Sequence, residues 1–255
     1  MSMDYKQFFR WILCLAVIMP VSTVAAEATV AVASNFTAPA NQLVEEFEAQ
    51  SDHDVRLVFG SSGRFFAQIS NGAPFDLFFS ADQEKPQELI ESGLAIDDSL
   101  FTYALGVLVL WSRYEQLIQT SPAVLSSNQF NRLAIANARH APYGVAAEEV
   151  LSNLNLLADL QSKLVRGENI AQTFQFVFTG NAELGFVAKS QVYQDNNLIS
   201  GSAWQVTEDL HSPIRQDAVL LQRASTNDAA LEFLSFVRSN RGRSIIESYG
   251  YVVGD

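Results

Sequence analysis

The sequence predicts an α/β protein built from short buried strands that each run into the N-terminus of a helix. Three observations carry that expectation. The order strand, small polar loop, helix start recurs four times, over residues 29–48, 55–69, 133–151 and 165–178. The strands are apolar on both faces, as strands covered by helices on both sides are. Residues 27–255 hold ample material for a core, since 48% of the whole chain is hydrophobic and eighteen residues are phenylalanine. That length suits one large domain or two lobes of about 100 residues each, and no internal repeat or low-complexity linker interrupts it.

Residues 1–26 read as a secretory signal peptide. Lys6 and Arg10 form the positive n-region, Trp11 to Met19 the apolar h-region, and Val24-Ala25-Ala26 a small-residue site that places the cut after Ala26. Pro20, Ser22 and Thr23 end the apolar run short of the ~20 residues that a membrane span needs. Cys14, the single cysteine, lies inside this segment, and Leu13 is too large for the residue before a lipidated cysteine, which argues against a lipoprotein. The expected mature chain is exported to the periplasm, lacks cysteine and is held by its core alone. Losing Lys6, Arg10 and Asp4 moves its formal charge from −12 to −13, which argues against nucleic acid and anionic membrane as partners. A small anion stays open, because local backbone dipoles outweigh a diffuse field beyond a Debye length of about 10 Å.

The first unit organises the rest. Thr29 to Ala33 is a strand, Ser34-Asn35-Phe36-Thr37 interrupts it, and Pro39 to Glu48 runs at helical spacing. Thr37 is the expected N-cap, with Pro39 in the first turn, where its missing N–H costs nothing. A strand that ends on hydroxyl and amide side chains and feeds a helix is an anion site in outline, because free N–H groups and the positive end of the dipole point at one spot. Val55 to Phe59 is the second strand, Gly60-Ser61-Ser62-Gly63 its loop and Arg64 to Ile69 its helix. The glycines let backbone approach a ligand and the serines add hydroxyl donors. This is not a nucleophile elbow, since Arg64 rather than glycine stands two residues after Ser62. Residues 72–82 form a turn, a third buried strand around Asp76 and an exit into a helix near Lys85-Pro86.

Leu105 to Trp111 is a buried strand, and Leu133 to Ala136 another, followed by the loop 138–144 and a helix through Leu151. Residues 165–170 lead into the fourth helix start, which runs to Phe178 and ends on Gly180. Leu184 to Val187 and Ala218 to Leu221 are further strands, and Ala229 to Val237 an amphipathic helix.

The runs Ala33-Ser34-Asn35-Phe36-Thr37, Phe59-Gly60-Ser61-Ser62-Gly63 and Gly72 through Asp82 resemble the periplasmic molybdate-binding proteins of ABC importers. The similarity continues through 133–137, Ala141-Pro142-Tyr143-Gly144, 184–188 and Tyr249-Gly250-Tyr251, so it covers nearly the whole mature chain. It implies a two-lobed periplasmic binding protein of type II, each lobe a mixed sheet flanked by helices, the chain crossing between lobes twice. The lobes expected are 27–104 with 214–255, and 105–213. The implied ligand is molybdate or tungstate, held in the cleft without a cofactor or a cation site, and the implied partner is the permease of the importer. A monomer is expected.

Carried over position by position, the anion contacts fall on Ser34, Asn35, Ser62, Tyr143 and Ile170. Relatives often place a tyrosine hydroxyl just after the Leu-Gly-x-Val strand. Here Ala188 stands there and cannot donate, so the Tyr143 phenol is expected to supply the missing donor. Alanine at 138 replaces the family's usual proline, which loosens that loop.

Other residues favour a structural role. His53, His140 and His211 are too scattered for a metal site. Arg139-His140 reads as a solvated loop tip, Asp76 as a strand-end carboxylate, Glu168 as pointing to solvent, and Glu45, Glu46 and Glu48 as a solvated helix face. Asn35-Phe36-Thr37 matches a glycosylation acceptor by chance, since a glycan there would block the cleft. Two other readings remain: a binder of the same architecture for sulfate, phosphate, chromate or an organic carboxylate, and an exported hydrolase of phosphate or sulfate esters. The second needs a nucleophile with a base in reach, and Ser62 has no histidine partner in the sequence.

Overall fold

The computed structural model describes residues 25–195 and 197–253, so the expected signal peptide lies, but for its last two residues, outside the described residues. β1 (Glu27–Ala33) is buried from Val30 onward, and a single 3-10 turn (Ser34–Phe36) joins it to α1 (Thr37–Glu48). The helix therefore begins two residues before Pro39, and Thr37 is not its N-cap. The Thr37 hydroxyl instead donates to Ser34 O at 2.9 Å and closes the 3-10 turn. β2 (Asp54–Gly60) runs into α2 (Ser62–Ser70), and β3 (Leu77–Phe79) into α3 (Glu84–Glu91).

The strand expected over 105–111 is two strands. β4 (Phe101–Gly106) ends the first sheet's run, and β5 (Leu108–Ser112) starts the second sheet, so the chain crosses at Val107. β6 (Leu133–Ala136), α4 (Pro142–Asn153), the short α5 (Leu157–Leu160), β7 (Leu164–Gly167), α6 (Ile170–Phe178) and β8 (Leu184–Ala188) follow. A small hairpin of β9 (Tyr193–Gln194) and β10 (Asn197–Leu198) precedes β11 (Ser202–Gln205). The chain then returns through β12 (Ile214–Leu220) and ends in α7 (Asp228–Arg238) and α8 (Asn240–Ser248).

Two five-stranded sheets result, in the orders β2-β1-β3-β12-β4 and β11-β5-β8-β6-β7. Within the first, β1 pairs in parallel with β2 and β3, while β12 runs antiparallel to β3 and β4. Within the second, β6 is parallel to β7 and β8, and β5 antiparallel to β8 and β11. The molecule is thus two lobes, each a mixed sheet with helices on its faces, joined at Val107 and again between β11 and β12. Parallel pairing puts the C-terminal ends of β1, β2, β6 and β7 at one edge of each sheet, where the following helices begin.

Each sheet buries both faces. In the first lobe Val30, Val32, Leu43, Phe47 and Phe233 pack on one side, and Ala31, Phe65, Phe78 and Leu89 on the other. In the second, Leu108, Leu110, Ile135 and Phe186 face α4, while Val109, Trp111 and Val187 pack with Val177 of α6. Trp111 is 1% exposed, stacks on Phe174 at 5.2 Å between centroids and donates its indole N–H to Ser200 O at 2.9 Å. Asp76 is a strand-end carboxylate, accepting the Thr29 N–H at 2.7 Å and pairing with Arg223 at 2.6 Å.

Candidate functional site

Four helical N-termini converge where the lobes face each other. They are the 3-10 turn at Ser34, α2 at Ser62, α4 at Pro142 and α6 at Ile170, two from each lobe. The first N–H groups of a helix have no partner within it and carry the positive end of its dipole, so the convergence concentrates donors at one place. A small cavity of about 10 Å³ lies there, lined by Ala33-Ser34-Asn35, Gly60-Ser61-Ser62, Ala81, Ala141-Pro142-Tyr143 and Asn169-Ile170. All five residues singled out from the sequence, Ser34, Asn35, Ser62, Tyr143 and Ile170, line it.

None of the lining residues is Asp, Glu, Lys, Arg or His. What the cavity offers is neutral: hydroxyls and amide N–H groups. Ser34 is 5% exposed and Ser61 3%, and their hydroxyl oxygens are the buried side-chain polar atoms without a hydrogen-bond partner among the described residues. Both line this cavity. Ser61 sits at the N-cap of α2 in extended conformation, yet its side chain makes no capping bond. Ser62 Oγ accepts the Ala81 N–H at 2.9 Å, which fixes the side chain and leaves the hydroxyl proton free to donate. Asn169 caps α6 by accepting the Gln172 N–H at 2.9 Å.

Behind the cavity lies a buried polar cluster that sequence reasoning missed. Asn35 Nδ2 donates to Gln216 Oε1 at 2.7 Å and to the Tyr251 hydroxyl at 3.0 Å, so its amide is taken up within the protein and has no room for a glycan. Asn35 O accepts from Tyr251 and from Ser190 Oγ, each at 2.8 Å. The Tyr103 hydroxyl stands 3.0 Å from Gln216 Oε1, and Gln216 Nε2 donates to the Tyr143 hydroxyl at 3.4 Å. The Tyr143 phenol therefore faces Gln216 and Tyr251, neither of which lines the cavity. Burial pushes the Tyr103 and Tyr143 phenols well above the usual tyrosine range, and lifts Tyr251 to about 12, so all three are protonated near neutral pH. The one local signal for this cluster was the closing Tyr249-Gly250-Tyr251; Gln216, between Arg215 and Asp217 in the polar first half of β12, carried none.

Two contacts close the lobes over the cavity, and both overturn expectations. Gly63 N–H donates to His140 O at 2.9 Å across the cleft, so His140 is a contact point and not a solvated loop tip. A Cβ at Gly63 would stand 3.0 Å from His140 Cα. Glu168, expected to point into solvent, forms an ion pair with Arg64 of the opposite lobe. Glu46 is likewise not merely solvated: it pairs with Arg241, whose hydrogen bond holds its carboxyl below the usual range. A larger hollow beside the cavity is lined by charged residues, Asp82, Lys85, Arg139 and Arg215 among them, and its Lys85 pairs with Asp82 at 2.8 Å.

A two-lobed architecture with an uncharged cleft of helix N-termini fits a solute-binding class. A family model for the bacterial extracellular solute-binding proteins matches residues 28–252, and the chain belongs to that family. Within it, the chain is 49% identical over 227 residues to the molybdate-binding protein ModA of Azotobacter vinelandii, covering 89% of this chain and 90% of that one. It is 44% identical over 240 residues to ModA of Rhodobacter capsulatus, covering 93% and 94%. The solved structure of an Azotobacter vinelandii periplasmic molybdate-binding protein superposes with a TM-score of 0.87 at 38% identity, over 89% of this chain and all of that one.

Proposed function

We propose that this protein captures molybdate or tungstate in the periplasm and delivers it to the permease of an ABC importer, without catalysing any reaction. The observation that carries the reading is the uncharged cavity where four helix starts meet and two buried hydroxyls lack a partner. The names of the relatives described above support the ligand. Ser34, Asn35, Ser61, Ser62, Tyr143 and Ile170 are the proposed contacts: hydroxyls from the serines, main-chain N–H groups from the other three. No histidine lines the cavity to serve as a base for a serine nucleophile, which disfavours the hydrolase.

The energetics suit tight reversible capture. Charge-assisted hydrogen bonds contribute about 1.5–3 kcal/mol each and helix termini about 0.3–2 kcal/mol, against an association cost of ~4–15 kcal/mol and the dehydration of the anion. Neutral donors cannot sort dianions by charge, so cavity size must do it. A rigid shell suited to long metal–oxygen bonds leaves sulfate with hydrogen bonds stretched past about 3.2 Å, where they lose much of their value. Phosphate is disfavoured again, because its monohydrogen form needs an acceptor and the cavity has no carboxylate. Competition calorimetry tests this: molybdate and tungstate should each displace sulfate completely. Sulfate displacing molybdate at comparable concentration would reassign the protein as a general oxyanion binder, and no thermal response to any oxyanion would end the binding reading.

A further inference from the structure

We propose that Gln216 is a positioning residue of the anion site, holding Asn35 of one lobe and Tyr143 of the other so that the cavity takes its final shape only in the closed molecule. The inference rests on the oxyanion reading above and goes beyond it, since Gln216 does not line the cavity.

Gln216 is completely buried and sits where the β12–β4 register shifts, between Gln216 and Asp217. A bulge re-aims side chains from the regular alternation of a strand, and here it directs the amide to the junction of the lobes. Its oxygen accepts from Asn35 Nδ2 of its own lobe at 2.7 Å, and the Tyr103 hydroxyl, whose one proton is shared with Ser80 O at 3.0 Å, stands 3.0 Å from the same oxygen. That orients the amide, and its nitrogen is left to face the only member of the cluster carried by α4, the Tyr143 hydroxyl at 3.4 Å. Gly106, at the end of β4, makes the room: a Cβ there would overlap both the Tyr143 hydroxyl and Gln216 Nε2. The phenol of one lobe thus enters a socket made by Gln216, Gly106 and Tyr251 of the other.

The consequence for the site is specific. Asn35 and Tyr143 line the cavity while their side-chain polar groups are committed to the socket. What each offers an anion is a main-chain N–H in the first turn of its helix. Seating the phenol sets where the start of α4 stands relative to the start of α1, and so whether donors of both lobes reach one ion. The Tyr143 hydroxyl then replaces no donor missing at Ala188. It acts one step away, through position.

The test compares the full mature protein with Gln216→Met, Tyr143→Phe and their combination, by molybdate calorimetry and by small-angle scattering with and without saturating molybdate. Each single variant should lose about tenfold or more in affinity. The double variant should be no weaker than the weaker single, because both remove one device. At saturation all three should keep a radius of gyration larger than that of the closed unsubstituted protein. Gly106→Ala, which blocks the socket by bulk, should behave alike and stands in if Gln216→Met does not fold. Multiplicative losses with complete closure at saturation would make the phenol a direct ligand and overturn the proposal. So would an unchanged affinity in Gln216→Met with only a lowered melting temperature. Failure of the unsubstituted protein to bind molybdate would overturn the oxyanion reading itself, and the proposal with it.

Discussion

Ser34 and Ser61 each bury a hydroxyl that no protein group among the described residues satisfies. Leaving a buried polar atom unpaired costs about 1–3 kcal/mol, a cost that a ligand oxygen removes on binding. Ser34→Ala and Ser61→Ala should therefore raise the melting temperature of the empty protein slightly while weakening molybdate binding by about tenfold. Ser62→Ala should weaken binding as much but also lower stability, because the Ala81 N–H loses its acceptor at 2.9 Å. Calorimetry beside thermal unfolding checks the contrast, and equal stability effects in all three would refute it. Ser61 was not singled out from the sequence as a proposed contact because its position at a helix N-cap already explains a serine. Only the absence of the capping bond in three dimensions marks it out.

At the scale of elements, α2 closes the cleft with its first turn. Gly63 donates to His140 O, and Arg64 pairs with Glu168, both across the cleft. Gly63→Ala should push His140 away by a few tenths of an ångström and hold the lobes apart, so dissociation should accelerate several-fold with little change in unfolding midpoint. Stopped-flow release of molybdate measures it; an unchanged rate would mean that the 138–141 loop yields. Arg64→Ala should matter much less, since the pair is about half exposed and such pairs contribute roughly 0–1 kcal/mol. The strand–loop–helix units were legible because each is written in consecutive residues: an apolar run, small polar residues, then helical spacing. The break at Val107 was not, because Leu105 to Trp111 is one apolar run whose halves join different sheets. β11 was missed as well: Ser202-Ala203-Trp204-Gln205 pairs with β5 through backbone, without an apolar pattern to announce it. The same holds for the site. Its loops could be read off, but the Gln216 cluster joins residues 35, 103, 143, 190 and 251, and no local pattern relates them.

For the molecule as a whole, the two lobes are tied at the back by that cluster, and its three phenols make the tie sensitive to alkali. Burial raises Tyr103 and Tyr143 well above the ordinary value and Tyr251 to about 12. In the unfolded chain the same groups titrate near 10. The folded state therefore keeps protons that the unfolded state loses, and stability from these groups is full below about pH 10 and falls as pH rises through 12. For Tyr251 alone the loss is of order 1–3 kcal/mol by pH 12, at about 1.4 kcal/mol per unit of difference. Tyr251→Phe removes one titrating group but also the acceptor for Asn35 Nδ2 at 3.0 Å and the donor to Asn35 O at 2.8 Å. It should be less stable than the parent at pH 8, with the gap narrowing between pH 10 and 12. Denaturant midpoints at successive pH values measure this, and a gap constant across that range would show that the phenol is not held neutral by burial. The same titration should reach binding: where the phenols ionise, negative charge appears behind the anion cavity and molybdate affinity should fall together with stability. An affinity that holds while stability drops would separate the lobe tie from the site.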